Sequence, residues 1–449
     1  MHSARRWMTT RTSPVKYNGR LRIWSKTTLF HAISVDLYYD LNLEEVVPSR
    51  NDRATKLKEW NASNFQQSDF LPNAKIALMS LNAIEGLPGM AVQLTTFKCG
   101  GFGVSAKISH PLADAVCLMN FMRSWATRSR RLFGKGPVAD DSELVKPVFD
   151  PARLESIAGL SPGSSLDLGK VQTARALPMH RFSWWAEDAP GYLPAFKSAT
   201  KATMPPPEEL ETIELSPSTF PPWPTWNKGA AVDHFQIRFS IDELARMKEA
   251  AQNSLPEALK SYRISRLDAA LAHIWTLMNR ARGHQGLRDS AYLDITLGLR
   301  ARVNPPLPDA FVGSPLLIAY VEKPADEAAS SELGPVAGAI RQTMSRFTPD
   351  AVASYIHDAA HEVSPQRLWQ GFLGTRHTLV TSWVRAEAYE LDFCGTQELA
   401  RYVQGVMPKM DGLVQIMDVA DTGDFDISVC MEREAMGRLL KDPALRRYE

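Results

Sequence analysis

Between Ala189 and Lys228 the chain carries Pro205-Pro206-Pro207, Pro217, Pro221-Pro222 and Pro224, with few apolar runs. Proline lacks the backbone N–H that helices and central strands require, so this stretch cannot continue either element. It therefore divides the sequence into residues 1–188, a crossover over 189–230, and residues 231–449. Connections this long inside a compact protein are usually linking or functional. A chain of 449 residues, 44% of them hydrophobic, is long enough for two packed units on either side of it.

Local patterns fill in both halves. Alternation predicts a strand over Ala91–Phe97, a turn at Cys99-Gly100-Gly101 and a second strand over Phe102–Ser109. Pro111 sits where a first helical residue belongs, and a helix is expected to continue from Asp114 to Arg128 with Val116, Met119, Phe121, Met122 and Trp125 on its apolar face. Past the crossover, Phe235–Phe239 reads as a strand. Ser240 with Glu243 is a capping box opening a helix to about Gln252, and Ser265 with Asp268 opens another to about Arg282. Leu267, Leu271, Ile274 and Met278 line the buried stripe of the latter, and Gly283 stops it. Strands follow at Tyr292–Leu299, Leu379–Trp383, Leu413–Met417 and Ile427–Met431, with a closing helix over Arg433–Lys441. Leu316–Val321 is a strand-sized apolar run. The elements do not alternate strictly, which favours an α/β fold with mixed sheets over a doubly wound one.

The segment with chemistry in it is His110-Pro111-Leu112-Ala113-Asp114. It puts an imidazole at a strand-to-helix junction, a place where folds display functional side chains. The helix N-terminus disfavours imidazolium there. A neutral imidazole can take a proton from an attacking hydroxyl near neutral pH. Asp114, expected inside the helix, either orients the histidine or pairs with an arginine. Alone, His-x-x-x-Asp is unspecific, and a histidine at a helix start is more often structural than catalytic.

Its surroundings are more specific. Ala91–Ala126 reads AVQLTTFKCGGFGVSAKISHPLADAVCLMNFMRSWA, which resembles the BAHD acyltransferases, particularly their fungal secondary-metabolism branch. Ser265–Arg282 is similar to the family's Asp-Ala-Leu-x-Ala-x-x-Trp helix. Asp294–Ser314 is similar to its Gly-x-Arg-x-Arg and Pro-Pro-Leu-Pro segment, and Leu379–Phe393 to the strand leading into Asp-Phe-Gly-Trp-Gly. Asp411-Gly412-Leu413 and Met436–Tyr448 also fit, so the resemblance runs from about Tyr17 to the C-terminus. It implies two chloramphenicol-acetyltransferase-like mixed-sheet domains with a tunnel between them. Acyl-CoA, with acetyl-CoA the first expectation, and a small-molecule alcohol or amine would enter as co-substrates, with no permanently bound cofactor and no metal. His110 would be the general base. Asp114 would pair with Arg300, and Asp392 and Gly395 would hold the tunnel architecture. Thr381, Ser382 and Trp383 would line the tunnel and donate to the oxyanion or the pantetheine arm. The family implies a monomer.

Two departures motivate an alternative reading as a catalytically impaired or truncated member. Asp392-Phe393-Cys394-Gly395-Thr396 has Cys where the family has Gly, and lacks the following Trp-Gly. A reactive Cys394 would need an electropositive neighbour, and none is evident. Asn18-Gly19-Arg20-Leu21-Arg22 looks like the family's Ala-Gly-Arg-Leu segment, yet the strand and helix expected before it are largely missing. Condensation domains of peptide synthetases, a related class, show a doubled His and a Gly after the Asp. Here Ser109 precedes His110 and Ala115 follows Asp114.

Other constellations are weaker. Gly100, Gly101 and Gly103 lead into a strand, whereas a dinucleotide site needs a helix. His357 and His361 read as two surface histidines, since a zincin needs Glu beside the first. Asp421, Asp424 and Asp426 read as an acidic hairpin turn. No Gly-x-Ser-x-Gly elbow occurs. The net charge of +1 points to neither nucleic acid nor a membrane surface as partner. No apolar run approaches the roughly 18–20 residues of a membrane span. Four scattered cysteines (Cys99, Cys117, Cys394, Cys430) suggest no disulfide framework, so the expected setting is cytoplasmic. Arg5, Arg6, Arg11, Lys16, Arg20, Arg22 and Lys26, without an acidic residue before Val35, leave a mitochondrial presequence as the alternative.

Overall fold

The computed structural model describes residues 7–8, 20–25, 31–77, 86–133, 144–161, 164–197, 204–205, 207–212, 215–363, 367, 369–406, 408–419 and 421–449. Asn18, Gly19 and most of the basic N-terminal residues lie outside this set. Among the described residues two mixed sheets form. The first has β1 (Trp7–Met8), β2 (Arg20–Ser25), β3 (His31–Tyr39), β5 (Met90–Phe97) and β6 (Phe102–Ile108) in the order β1-β2-β3-β5-β6. Trp7 pairs with Arg22 and Met8 with Leu21 at the edge of this sheet. β3 and β5 run parallel and the other neighbours antiparallel.

The second sheet has seven strands in the order β4-β7-β12-β11-β10-β8-β9. These are β4 (Glu59–Asn61), β7 (Val232–Phe239), β8 (Ser290–Gly298), β9 (Leu316–Pro324), β10 (His377–Ser382), β11 (Leu413–Asp418) and β12 (Phe425–Glu432). β10 is parallel to both β8 and β11. β4 comes from the first half of the chain and pairs antiparallel with β7, Trp60 opposite Gln236. Just before it, Arg53 is 1% exposed and donates to Asp426 Oδ2 of β12 at 3.1 Å. The helices Ala152–Ala158 and Leu168–Arg175, also from the first half, pack on Pro349–Ala360 of the second. The sheet layers thus do not follow the two sides of the crossover.

The main core lies between this second sheet and the helices Ile241–Asn253, Arg266–Ala281 and Leu333–Ser345. Both expected capping boxes are present, at Ser240 with Glu243 and at Ser265 with Asp268. The stripe expected on the helix Arg266–Ala281 is buried at Leu271, Ile274 and Met278, but the helix is covered well beyond it. It is buried nearly all round, with Trp275 1% exposed, because helices cover the sides the stripe leaves open. Gly283, at φ 75°, takes the left-handed turn after it. Gly334 marks the closest helix approach: a Cβ there would lie 2.1 Å from the Ser254 carbonyl oxygen. Gly334→Ala is expected to lower unfolding free energy by about 1–3 kcal/mol through overpacking, read from the urea midpoint at unchanged m.

Further sequence expectations need correction. His357 is 2% exposed, not a surface residue, and its Nε2 accepts the Asp167 N–H at 2.9 Å. The acidic hairpin turn is present between β11 and β12 with Asp421 exposed, but Asp424 and Asp426 are buried and partnered. Asp426 is 2% exposed and binds Arg238 as well as Arg53, while Asp424 accepts the Ile241 N–H at 2.9 Å. No described helix is long and apolar enough to cross a membrane.

Candidate active site

β6 ends at Ile108, and His110, Pro111 and Leu112 form a turn before the helix Ala115–Phe133. The helix begins later than the proline signal suggests, and Asp114 lies before it, not within it. The reason is a competing demand on Asp114. Its Oδ1 accepts the Cys117 N–H at 3.1 Å, the bond of an N-cap. The same oxygen accepts from Arg300 Nη2 at 3.0 Å, and Oδ2 accepts from Arg300 Nη1. This bidentate pair is 3% and 7% exposed. Arg300 Nη2 also donates to the Phe311 carbonyl at 2.9 Å, and the Asp114 N–H to the Gly313 carbonyl at 3.2 Å.

These bonds fix residues 311–313 against the start of the helix and carry Ser314 to the imidazole. Ser314 Oγ lies 3.2 Å from His110 Nδ1. His110 is exposed into a cavity, with Nε2 left as the second ring nitrogen. When Nδ1 carries the proton and donates it to Ser314, Nε2 is the basic nitrogen. Ser314 was within the matched Pro-Pro-Leu-Pro segment, but no local pattern distinguished it. Its partner lies 204 residues away.

The helix after His110 docks on the second half of the chain. Met119 joins Ala388, Tyr389, Met417 and Val419 in one cluster. Arg130 Nη1 donates to the Asp392 carbonyl at 2.8 Å, and the Trp125 ring meets Phe393 edge-on with centroids 5.5 Å apart. The Asp392 carboxylate accepts from the backbone N–H of Cys394 at 2.9 Å, Gly395 at 2.7 Å and Gln397 at 3.0 Å. Partial burial pushes its carboxyl up, but these backbone hydrogen bonds outweigh that and hold it below the ordinary value. Asp392 therefore closes a tight turn in which Gly395 takes φ 75°. The Cys394 thiol is pushed up by burial and by Asp392 and Glu398, the reverse of a reactive cysteine.

His110, Thr381, Ser382, Trp383 and Asp392 all line one cavity of about 2190 Å³ between the two sheets, as do Asp114 and Arg300 at its wall. Gly395 supports the turn without lining it. The volume exceeds the roughly 300–1,000 Å³ of a single small-molecule pocket, and its lining is mainly apolar.

Beside this cavity lies a group the sequence did not reveal. Asp294 on β8 is fully buried, with His377 Nδ1 3.0 Å from Oδ2 and His180 Nε2 3.2 Å from Oδ1. Among the described residues this is the group whose side-chain atoms converge as metal ligands would. His377 Nδ1 bonds Oδ2, which also accepts the Phe372 N–H at 3.3 Å, while Oδ1 and His180 Nε2 face each other outside hydrogen-bond geometry. Burial alone pushes the Asp294 carboxyl up; the contacts with His180 and His377 more than offset that and hold it below its ordinary value. A carboxyl lowered in the folded state stabilises the protein above the unfolded pKa, about 3.9, and that contribution is lost as pH falls through the lower folded value. Wild type is expected to exceed Asp294→Asn in stability at pH 6, with the gap closing below about pH 4; urea midpoints across pH measure it.

This two-sheet α/β architecture, with a cavity lined from both sheets, is the fold of solved acyltransferases. Fusarium graminearum TRI101 complexed with coenzyme A and T-2 mycotoxin matches with a TM-score of 0.61 at 15% identity, over 92% of this chain and 80% of that one. Vinorine synthase matches with a TM-score of 0.55 at 17% identity, over 91% and 75%. The model of the Transferase family matches residues 53–160 and 186–445, and the chain belongs to that family, the BAHD acyltransferases. Acyltransferase AFT15-1 of Alternaria alternata is 27% identical over 79% of this chain, and acyltransferase abl6 of Leptosphaeria maculans 25% over 80%. The chain spans 66% and 68% of the lengths of those two proteins.

Proposed function

We propose that the protein is an acyl-CoA-dependent acyltransferase acting on a small-molecule alcohol or amine of secondary metabolism, with His110 as general base. The observation that carries this reading is His110 on the wall of the shared cavity, its Nδ1 3.2 Å from Ser314 Oγ. Nε2 takes the proton of the acceptor as its oxygen or nitrogen attacks the thioester carbonyl. The tetrahedral oxyanion collapses, the C–S bond breaks, and the departing CoA sulfur takes the proton back from the imidazolium. Donors on Thr381, Ser382 and the Trp383 indole line the same cavity and are suited to the oxyanion. Asp114 and Arg300 act as architecture, since they bind each other.

The Asp392 turn supports an active enzyme over an impaired one. Its bonds run to backbone N–H groups, so Cys394 and Thr396 occupy it without loss of the carboxylate's partners. Acetyl-CoA is the first donor to try, and a cytoplasmic monomer the expected form. The test is free thiol release from acetyl-CoA with a mixed pool of alcohols and amines. Release that depends on an acceptor and on His110 supports the reading. Acceptor-dependent release that survives His110→Ala overturns the mechanism.

A further inference from the structure

Three segments build the group around Asp294. Asp294 lies within β8, in register with Leu379 of β10 on one side and Tyr320 of β9 on the other. His377 opens β10. His180 comes from before the crossover, on a loop held to β9 by the Tyr320 N–H, which donates to the Pro178 carbonyl at 2.8 Å. Aromatic rings fix both imidazoles. His180 stacks on Tyr320 and on Phe182, with ring centroids 4.3 and 4.7 Å apart, and His377 stacks on Tyr292 at 4.7 Å. The Phe372 N–H holds the carboxylate through Oδ2. Rings and carboxylate are therefore set in place before anything binds.

What this arrangement leaves unmet points to a ligand. His180 Nε2 and Asp294 Oδ1 are both buried, lie 3.2 Å apart and make no hydrogen bond. Native proteins rarely leave two such atoms bare, because each has given up its water. A relay of hydrogen bonds through the carboxylate would aim the His180 N–H at Oδ1, and the geometry does not. One donor atom from each of His180, Asp294 and His377 lies within 4.8 Å of the other two. Ligands of a tetrahedral zinc, each about 2.0–2.2 Å from the ion, stand about 3.3–3.6 Å from one another. The 3.2 Å from His180 Nε2 to Oδ1 and the 3.0 Å from His377 Nδ1 to Oδ2 are close to that spacing. Two imidazoles and one carboxylate suit zinc and its first-row neighbours, whereas magnesium and calcium take oxygen ligands. A way in is present. His180 lines a second, smaller cavity of about 300 Å³ with Met179, Tyr320 and Gln370, which leaves room for water as a further ligand. The arginines on its wall, Arg175 and Arg181, are paired with Asp358, so their charge is offset.

We infer that His180, Asp294 and His377 bind one zinc ion, or a neighbouring first-row divalent ion, which pins the loop carrying His180 to β8 and β10. His180 Nε2 and His377 Nδ1 present lone pairs to the ion, so each ring carries its proton on the other nitrogen. The family resemblance does not imply this site, and its test needs no turnover. Chelator-treated full-length protein is titrated with zinc chloride by calorimetry, beside magnesium chloride, in wild type, His180→Gln and His377→Gln. Melting temperatures are read with and without zinc. The expected result is one zinc per chain, with affinity at least about tenfold weaker in each variant and no heat from magnesium that the variants abolish. Zinc should raise the melting temperature of wild type and raise that of the variants less. Should His377→Gln not fold, His180→Gln decides alone, since His180 is partly exposed on a loop at the cavity wall. Zinc bound at wild-type affinity by folded His180→Gln places the ion elsewhere, such as at exposed Cys99 or Cys394, and overturns the site. Absence of zinc binding by folded wild type overturns it as well. Magnesium binding that His180→Gln removes overturns the choice of a nitrogen-preferring ion.

Discussion

His110→Ala is expected to lower acceptor-dependent turnover by about a hundred- to ten-thousand-fold, the range a positioned general base contributes. The folded state should be almost unaffected, because the imidazole is exposed to the cavity and its hydrogen bond is to Ser314. The acetyl-CoA KM should move little, since the imidazole acts on the acceptor proton and not on the nucleotide. A melting temperature close to wild type, measured beside thiol release, makes the loss attributable to chemistry. Full turnover in that folded variant would sink the mechanism.

The second large effect is on stability and has the opposite signature. Arg300→Ala leaves Asp114 3% exposed without its bidentate cation. Breaking one partner of a buried pair typically costs about 3–5 kcal/mol, because the remaining charge stays desolvated. Arg300→Ala should therefore unfold at markedly lower urea, or accumulate insoluble. Asp114→Ala should do the same, with the added loss of the helix cap at Cys117. The double variant should cost less than the sum of the singles, since no lone charge remains. Where enough folded Arg300→Ala protein is recovered, its turnover should fall through displacement of Ser314 and not through loss of a reacting group. A purely catalytic effect at wild-type stability would overturn the architectural role of the pair.

Much of the second half was legible because its elements carry local signals. Capping boxes open the helices at Ser240 and Ser265, and alternating apolar residues mark β7, β8 and β10 to within a few residues. The pairing of Asp114 with Arg300 was expected from resemblance alone. No spacing in the chain connects two residues 186 positions apart. The misses share one physical cause. Asp114 was placed inside a helix because Pro111 is a good first helical residue, yet tertiary contacts with Arg300 and Gly313 made Asp114 the cap instead. His357 was read as a surface group, and the buried partners of Asp426 and Asp294 went unseen, because those partners come from remote segments. Ser314 was overlooked for the same reason.

The short strand β4 has a consequence for how the two halves of the chain can move. Because Glu59–Asn61 pair with β7, and Arg53 reaches Asp426 beside them, the first half of the chain is laced into the sheet of the second. Separating the two halves of the sequence would tear ladder bonds and expose a buried guanidinium. The stretches on either side of the crossover therefore cannot part as two independent lobes.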